Sequence, residues 1–203
     1  MKIICIGRNY VEHAKELNNP LPKKPIFFLK PESALLQKKQ PFFYPDFSND
    51  IHFETEIVLR ICKVGKHIQP EFAQNYFNQI GIGFDLTARD LQKECKAKGL
   101  PWEIAKGFDQ SAPLGLFKPK SAFNDINNLN FSLKVNGEIR QQGNTIDLIF
   151  PFDQLIAYLS QFMTLKIGDL IFTGTPEGVG PVKIGDHLEA FIEDEKYLDL
   201  KIK

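Results

Sequence analysis

Two glutamates at alternate positions, Glu54 and Glu56, interrupt a run that is otherwise composed for a β-strand, residues 49–60. With side chains alternating between faces, Phe53, Thr55, Ile57, Leu59 and Ile61 share one side, and His52, Glu54, Glu56 and Val58 the other. Two carboxylates on one face lie roughly 6 to 7 Å apart and repel each other, so a cation between them is the natural compensation. A hard divalent ion with oxygen ligands suits that place. Asp85, at the end of the apolar run of residues 80–84, offers a third carboxylate for an Mg²⁺, Mn²⁺ or Ca²⁺ site. The competing reading is a half-exposed antiparallel strand whose carboxylates are solvated.

A second pair is His13 and Glu16, three apart, which on a helix share a face and let the carboxylate hold one imidazole nitrogen. An exposed polar helix face is the bland alternative. Lys30 ends an apolar run and either snorkels from a strand end or faces a carboxylate-rich site. Lys106 lies among small residues, and Arg89 and Gln92 ride the first turns of an expected helix.

The elements that must position these groups follow from local signals. Residues 2–7 read as a buried strand. Asn9, with Glu12 three residues on, reads as the capping-box start of a helix to about Leu17. The segment from Asn18 to Pro22 breaks that helix, and residues 9–22 together have the composition of a lid. A loop is expected from Gln37 to Pro45, and a packed helix over residues 70–80, begun by a proline. Thr87 is expected to cap a helix to Gly99, with Asp90 at the capping-box position. Asn136-Gly137 marks a hairpin, residues 152–163 an amphipathic helix, and residues 170–173 a strand. That strand runs into Gly174-Thr175-Pro176-Glu177-Gly178-Val179-Gly180. This turn lacks the lysine of a P-loop and the third glycine of a dinucleotide fingerprint, so it is better read as exposing backbone N–H groups and the Thr173 and Thr175 hydroxyls to a small anion. The end of the chain, from Gly185, alternates as hairpin strands.

At 203 residues the chain is most simply one domain. Its 25 basic and 25 acidic side chains balance, so no net field recruits nucleic acid or an anionic membrane. Eighteen Phe and 13 Pro point to sheet packing and many turns, an α+β, β-rich fold. Cys5, Cys62 and Cys95 form no C-x-x-C, which argues against a zinc ribbon or a disulfide framework and for a reducing cytoplasm. The apolar start is too short for a signal peptide or a membrane span, which leaves the sequon at Asn130 without a compartment to use it.

In order and wording these phrases resemble the fumarylacetoacetate hydrolase family, and within it the short acylpyruvase-like members. The phrases are Gly7-Arg8-Asn9-Tyr10 with His13 and Glu16, Phe28-Leu29-Lys30-Pro31, and His52-x-Glu54-x-Glu56. Further on they are Asp85-x-Thr87-Ala88-Arg89-Asp90-x-Gln92, Lys98-Gly99-Leu100-Pro101-Trp102 with Lys106, Val135-Asn136-Gly137-Glu138, and Thr173-Gly174-Thr175-Pro176-x-Gly178-Val179-Gly180-Pro181. The resemblance implies a mixed β-sheet roll with peripheral helices, of the type of that family's C-terminal domain, forming a homodimer. It implies Glu54, Glu56 and Asp85 as ligands of Mg²⁺ or Mn²⁺, and His13 with Glu16 as a catalytic dyad on a lid. Lys106 is implied as the active-site lysine, and Arg89, Gln92, Thr175 and Lys30 as substrate contacts.

The implied chemistry is hydrolysis of acylpyruvates, a class of 2-oxo acid, to pyruvate and a carboxylic acid through a metal-stabilised enolate, with oxaloacetate decarboxylation as a related activity. Oxaloacetate tautomerisation and isomerisation or decarboxylation of hydroxylated dienedioates use the same electron sink. A non-catalytic metal-binding scaffold is the alternative of another class. Phe53 stands where some relatives have a second His, and residues 147–150 depart from the Met before Ile-Phe of many relatives; both departures bear on which acyl group fits.

Overall fold

Period-two alternation persists through residues 51–61, but the chain changes sheets at Glu54. The computed structural model describes residues 1–17, 19–36 and 40–203. The expected helix break at Asn18 and the start of the expected loop at Gln37, Lys38 and Lys39 lie outside those residues.

In chain order, β1 (Ile3–Gly7) leads to helix α1 (Val11–Glu16), then β2 (Ile26–Lys30) and β3 (Leu35–Leu36). The glutamate run forms β4 (Ile51–Phe53) and β5 (Thr55–Ile61), followed by β6 (Phe77–Phe84), β7 (Thr87–Ala88), α2 (Arg89–Lys98) and α3 (Glu103–Lys106). Next come β8 (Ala112–Pro119), the hairpin of β9 (Asn130–Val135) and β10 (Glu138–Asn144), and α4 (Phe152–Phe162). Strands β11 (Leu170–Phe172), β12 (Gly180–Pro181), β13 (His187–Ile192) and β14 (Glu195–Lys201) complete the order.

A seven-stranded mixed sheet, β2-β1-β11-β5-β6-β8-β3, forms the centre. Its parallel pairs are β1 with β11 and β3 with β8, and the remainder are antiparallel. A four-stranded sheet, β10-β9-β13-β14, and a small one, β12-β4-β7, curl around it. Ile57, Leu59, Ile80 and Ile82 of the central sheet share one apolar core with Phe131, Leu133, Leu188 and Ala190 of the four-stranded sheet. On the opposite face, Ile3, Cys5, Val58 and Phe172 form a second, smaller cluster. The middle of the sheet is therefore covered on both sides, which is why β5 is apolar on both faces beyond its glutamate. The expected mixed β-sheet architecture with peripheral helices is the one observed.

Three local readings change. Residues 70–80 are not a helix: a 3₁₀ stretch, Pro70–Asn75, gives way at once to β6. The helical spacing of Phe72, Ala73, Tyr76, Phe77 and Ile80 dissolves because Phe72 is exposed while Phe77 and Ile80 serve a strand. Nor does Asn9 cap α1. Tyr10 occupies that position without a side-chain bond, and Asn9 is buried, donating Nδ2–H to the Thr173 and Phe150 carbonyls while its Oδ1 accepts from Phe150 N–H. Thr87 lies in β7, and Ala88 takes the cap position of α2. Asp90 instead accepts hydrogen bonds from Ser48 Oγ, Asn49 N–H and Leu91 N–H, tying the loop before β4 to α2. The end of α2 is as expected, with Gly99 left-handed at φ 64°. The Asn136-Gly137 turn has both residues at positive φ, 54° and 84°, as a two-residue hairpin requires.

Candidate active site

Glu54 sits where the chain leaves the small sheet for the central one, with β4 paired to β7 and β12, and β5 paired to β6 and β11. Both glutamates are buried, Glu54 6% and Glu56 1% exposed, which rules out the solvated-strand reading. Asp85 follows β6 directly, and its N–H donates to the Glu54 carbonyl at 2.8 Å. One carboxylate oxygen from each of Glu54, Glu56 and Asp85 lies within 4.8 Å of the others. A further grouping of metal-ligand types, His187, Glu189 and Asp199, is at the surface, and Lys196 Nζ already bridges its two carboxylates.

Three cations surround the buried carboxylates. Lys106 Nζ donates to Glu54 Oε2 (2.8 Å), Asp85 Oδ2 (2.7 Å) and Thr87 Oγ1 (2.6 Å). Arg89 donates to Glu54 Oε1 (2.5 Å) and Gln92 Oε1 (2.6 Å). Lys30 gives its hydrogen bonds to the Leu86 and Ser111 carbonyls and stands 2.8 Å from Asp85 Oδ1. That oxygen is buried and paired in charge with Lys30, but accepts no well-directed hydrogen bond.

The two glutamates diverge electrostatically. Burial pushes Glu54 up, but Lys106 and Arg89 outweigh it and hold the carboxyl well below its usual range. Glu56 is held well above that range by burial and then by the charges of Asp85 and Glu54, despite a 2.7 Å hydrogen bond from Gly174 N–H. A divalent cation among the three oxygens would relieve that repulsion, so the donor set fits a hard metal ion.

The glycine turn after β11 closes the site. Gly174 is at φ 106°, and a Cβ there would lie 2.7 Å from Asn9 Cβ. Gly178, at φ 89°, would place a Cβ 2.3 Å from the Arg140 carbonyl oxygen. Only glycine reaches these approaches. In return Gly178 N–H donates to Glu16 Oε1 (3.0 Å), whose other oxygen lies 3.1 Å from His13 Nδ1. With Nδ1–H directed at Glu16, Nε2 of the buried His13 is left as the proton acceptor.

The structure gathers the sequence-predicted residues except in one role: Lys30, expected as a substrate contact, is buried against the Leu86 and Ser111 carbonyls and Asp85 and does not line the pocket. His13, Glu54, Glu56, Asp85, Arg89, Gln92, Lys106 and Thr175 line one pocket, with Glu16 behind His13 and Lys30 behind Asp85. Phe53 is buried in the core with Gly180 packed on its ring, and is not among the lining side chains. Sequence reasoning missed Gln141, the one buried residue of β10, turned inward beside a bulge between Ile139 and Gln141. Its Oε1 accepts from Thr55 N–H, between the two glutamates, and its Nε2 donates to Thr175 Oγ1 and the Pro176 carbonyl. It thereby fixes the glutamate strand relative to the turn. A glutamine on a hairpin strand carries no sequence signal of this.

Residues 2–202 match the family model described as fumarylacetoacetate (FAA) hydrolase C-terminal. Among known proteins, the chain is 42% identical over 201 residues to the mitochondrial oxaloacetate tautomerase FAHD1 of Mus musculus, covering 99% of this chain and 91% of that one. It is 47% identical over 192 residues to the mitochondrial oxaloacetate decarboxylase of Dictyostelium discoideum, covering 94% and 88%. Among solved structures, a fumarylpyruvate hydrolase from Pseudomonas aeruginosa, in complex with Mn²⁺ and pyruvate, superposes with a TM-score of 0.94 at 38% identity, covering 100% of this chain and 89% of that one.

Proposed function

Because the chain belongs to the fumarylacetoacetate hydrolase family, we propose that it is a metal-dependent enzyme of β-carbonyl 2-oxo acids, hydrolysing the C–C bond of acylpyruvates and also acting on oxaloacetate. The observation that carries this reading is the buried trio Glu54, Glu56 and Asp85 with His13 facing the same pocket. The trio would hold Mg²⁺ or Mn²⁺, which when bound acts as a Lewis acid on the 2-oxo acid end of the substrate. Arg89, Gln92 and Thr175 orient that end, with Lys30 fixing Asp85 from behind.

His13 Nε2 takes a proton from water, and Glu16 holds the imidazole in the tautomer that allows it. The hydroxide adds to the distal carbonyl, and the C3–C4 bond breaks. Its electron pair passes into the pyruvate enolate, and the acyl carbon leaves as a carboxylic acid. Protonation at C3 gives pyruvate. Lys106, whose ammonium is stabilised by Asp85 and Glu54 against the effect of burial, supplies positive charge where the enolate develops. Decarboxylation and keto–enol exchange of oxaloacetate draw on the same charge and need no hydroxide. The tautomerase and decarboxylase names of the relatives support that second activity on this site.

Residues 1–203 act as a single catalytic domain with residues 9–22 as its lid, a role supported by the bond from Gly178 N–H to Glu16 at the end of α1. A homodimer, which the family resemblance implies, is part of this proposal. Three free cysteines suit a cytoplasmic setting, and no described helix is long and apolar enough to cross a membrane.

A panel of acetylpyruvate, fumarylpyruvate and oxaloacetate, with Mg²⁺, Mn²⁺ or EDTA, tests the reading. His13→Ala is expected to lose acylpyruvate hydrolysis at least a hundredfold, on the scale of general-base contributions, while keeping metal affinity. Glu54→Ala is expected to lose metal binding and all three activities. Full hydrolysis by His13→Ala, or turnover unaffected by chelation, refutes it.

A further inference from the structure

Arg89 and Gln92 lie three apart on α2, and Lys96 is the next residue on the same helical face, seven from Arg89. The stripe that begins with a guanidinium against Glu54 thus continues outward to an ammonium about 10 Å further along the axis. Lys96 lines the same pocket but is itself exposed, so it stands at the pocket's solvent end, with its Nζ 5.6 Å from the centre of the Trp102 ring.

Arg8 lines the same pocket. It follows β1 directly in a left-handed backbone conformation, φ 59°, which residues other than glycine, asparagine and aspartate seldom adopt. The structure holds it there, half-buried and lining the pocket. Although the side chain as a whole is exposed, partial desolvation of the Lys96 ammonium at the pocket, and then the neighbouring charges of Arg8 and Arg89, lower its pKa from the ordinary value. Among the described residues neither Arg8 nor Lys96 forms a salt bridge, whereas Arg89, Lys106 and Lys30 all do. Two cations without a carboxylate partner thus line the solvent end of one pocket, where an anionic group of a ligand could meet both.

We infer that Arg8 and Lys96 form a subsite for a second carboxylate, so that the pocket selects 2-oxo dicarboxylates over 2-oxo monocarboxylates of the same length. The inference rests on the proposed function for the near end of the substrate, where the 2-oxo acid group is held beside Glu54, Glu56 and Asp85. The far end is then read by charge alone. Among acylpyruvates it favours those whose acyl group itself ends in a carboxylate over acetylpyruvate.

Two unreactive ligands isolate the subsite, 2-oxoglutarate and 2-oxopentanoate, which share a chain length and differ in the distal carboxylate. Calorimetry on Mn²⁺-loaded protein is expected to give roughly a hundredfold tighter binding of 2-oxoglutarate, about tenfold from each cation. A hydrogen bond between charged groups contributes roughly ten- to a hundredfold in affinity. Lys96→Gln should therefore cut the preference about tenfold, and Arg8→Gln with Lys96→Gln should abolish it. Arg8→Gly, suited to the left-handed backbone, replaces Arg8→Gln if that variant does not fold. In turnover, the kcat/KM ratio of fumarylpyruvate to acetylpyruvate should fall in step, through KM. Equal binding of the two ligands by the wild type, binding of neither, or an unchanged preference in the double variant overturns the subsite. Loss of all turnover with the binding preference intact overturns the proposed reaction and leaves the subsite standing.

Discussion

At Lys106 an ammonium lies 2.8 Å from Glu54 Oε2 and 2.7 Å from Asp85 Oδ2, and both carboxylates are out of water. Removing one member of such a buried cluster leaves charge uncompensated, at a cost of about 3–5 kcal/mol. Lys106→Met is therefore expected to lower the melting temperature of metal-free protein, and Mn²⁺ should raise the variant's melting temperature more than the wild type's, since the ion substitutes for the missing charge. Calorimetry in EDTA and in Mn²⁺ checks this, and equal metal-induced shifts count against it. At this scale much was legible. Glu54 and Glu56 could be paired by parity along a strand, and His13 with Glu16 by helical spacing. Asn9 and Gln141 were not legible in these roles, because each works through backbone partners that tertiary packing brings from distant parts of the chain, Thr173 and Phe150 for one, Thr55 and Pro176 for the other.

Helix α2 carries Arg89, Gln92 and Lys96 on one face, and Asp90 ties its first turn to the loop before β4. Burial works against the Asp90 carboxylate, but its hydrogen bonds from Ser48, Asn49 and Leu91 prevail and hold it below the ordinary range. A depressed folded-state value gives stability that is complete above the unfolded value, about 3.9 for aspartate, and is lost as pH falls through the folded one. Asp90→Asn should cost roughly 1 kcal/mol at neutral pH, Asp90 being partly exposed, and the gap to wild type should close below about pH 4. Urea unfolding across that range reads it, and a gap that stays constant with pH excludes the assignment. Elements with a local signal were read correctly, the Asn136-Gly137 hairpin and the Gly99 end of α2 among them. Residues 70–80 misled because a proline start and helical apolar spacing were overridden by pairing of β6 with β5 and β8, a non-local contact that periodicity does not encode.

Over the whole molecule, the three carboxylates come from the β4–β5 junction, from β5 and from the end of β6, so an ion held by them would bind the folded chain and not the unfolded one. At a hundred times its Kd such an ion stabilises by about 2.7 kcal/mol, or roughly 5–10 °C for a chain of this size. Chelation should lower the melting temperature by that order in the wild type and not in Glu54→Ala; a melting temperature indifferent to EDTA excludes the metal site. Strand order could not be read from the sequence, since β1 lies beside β11 with Ile3 opposite Leu170. That pairing also dictates when the site can exist. Synthesis delivers Glu54, Glu56 and Asp85 early, but Gly174 N–H, the donor to Glu56, follows a strand that docks only after most of the chain has emerged. An ion that requires this finished arrangement would therefore be captured late in folding. Such an ion would reward completion of the fold rather than nucleate it, because a nascent chain short of residue 174 carries the acidic side chains without the Gly174 donor that fixes Glu56.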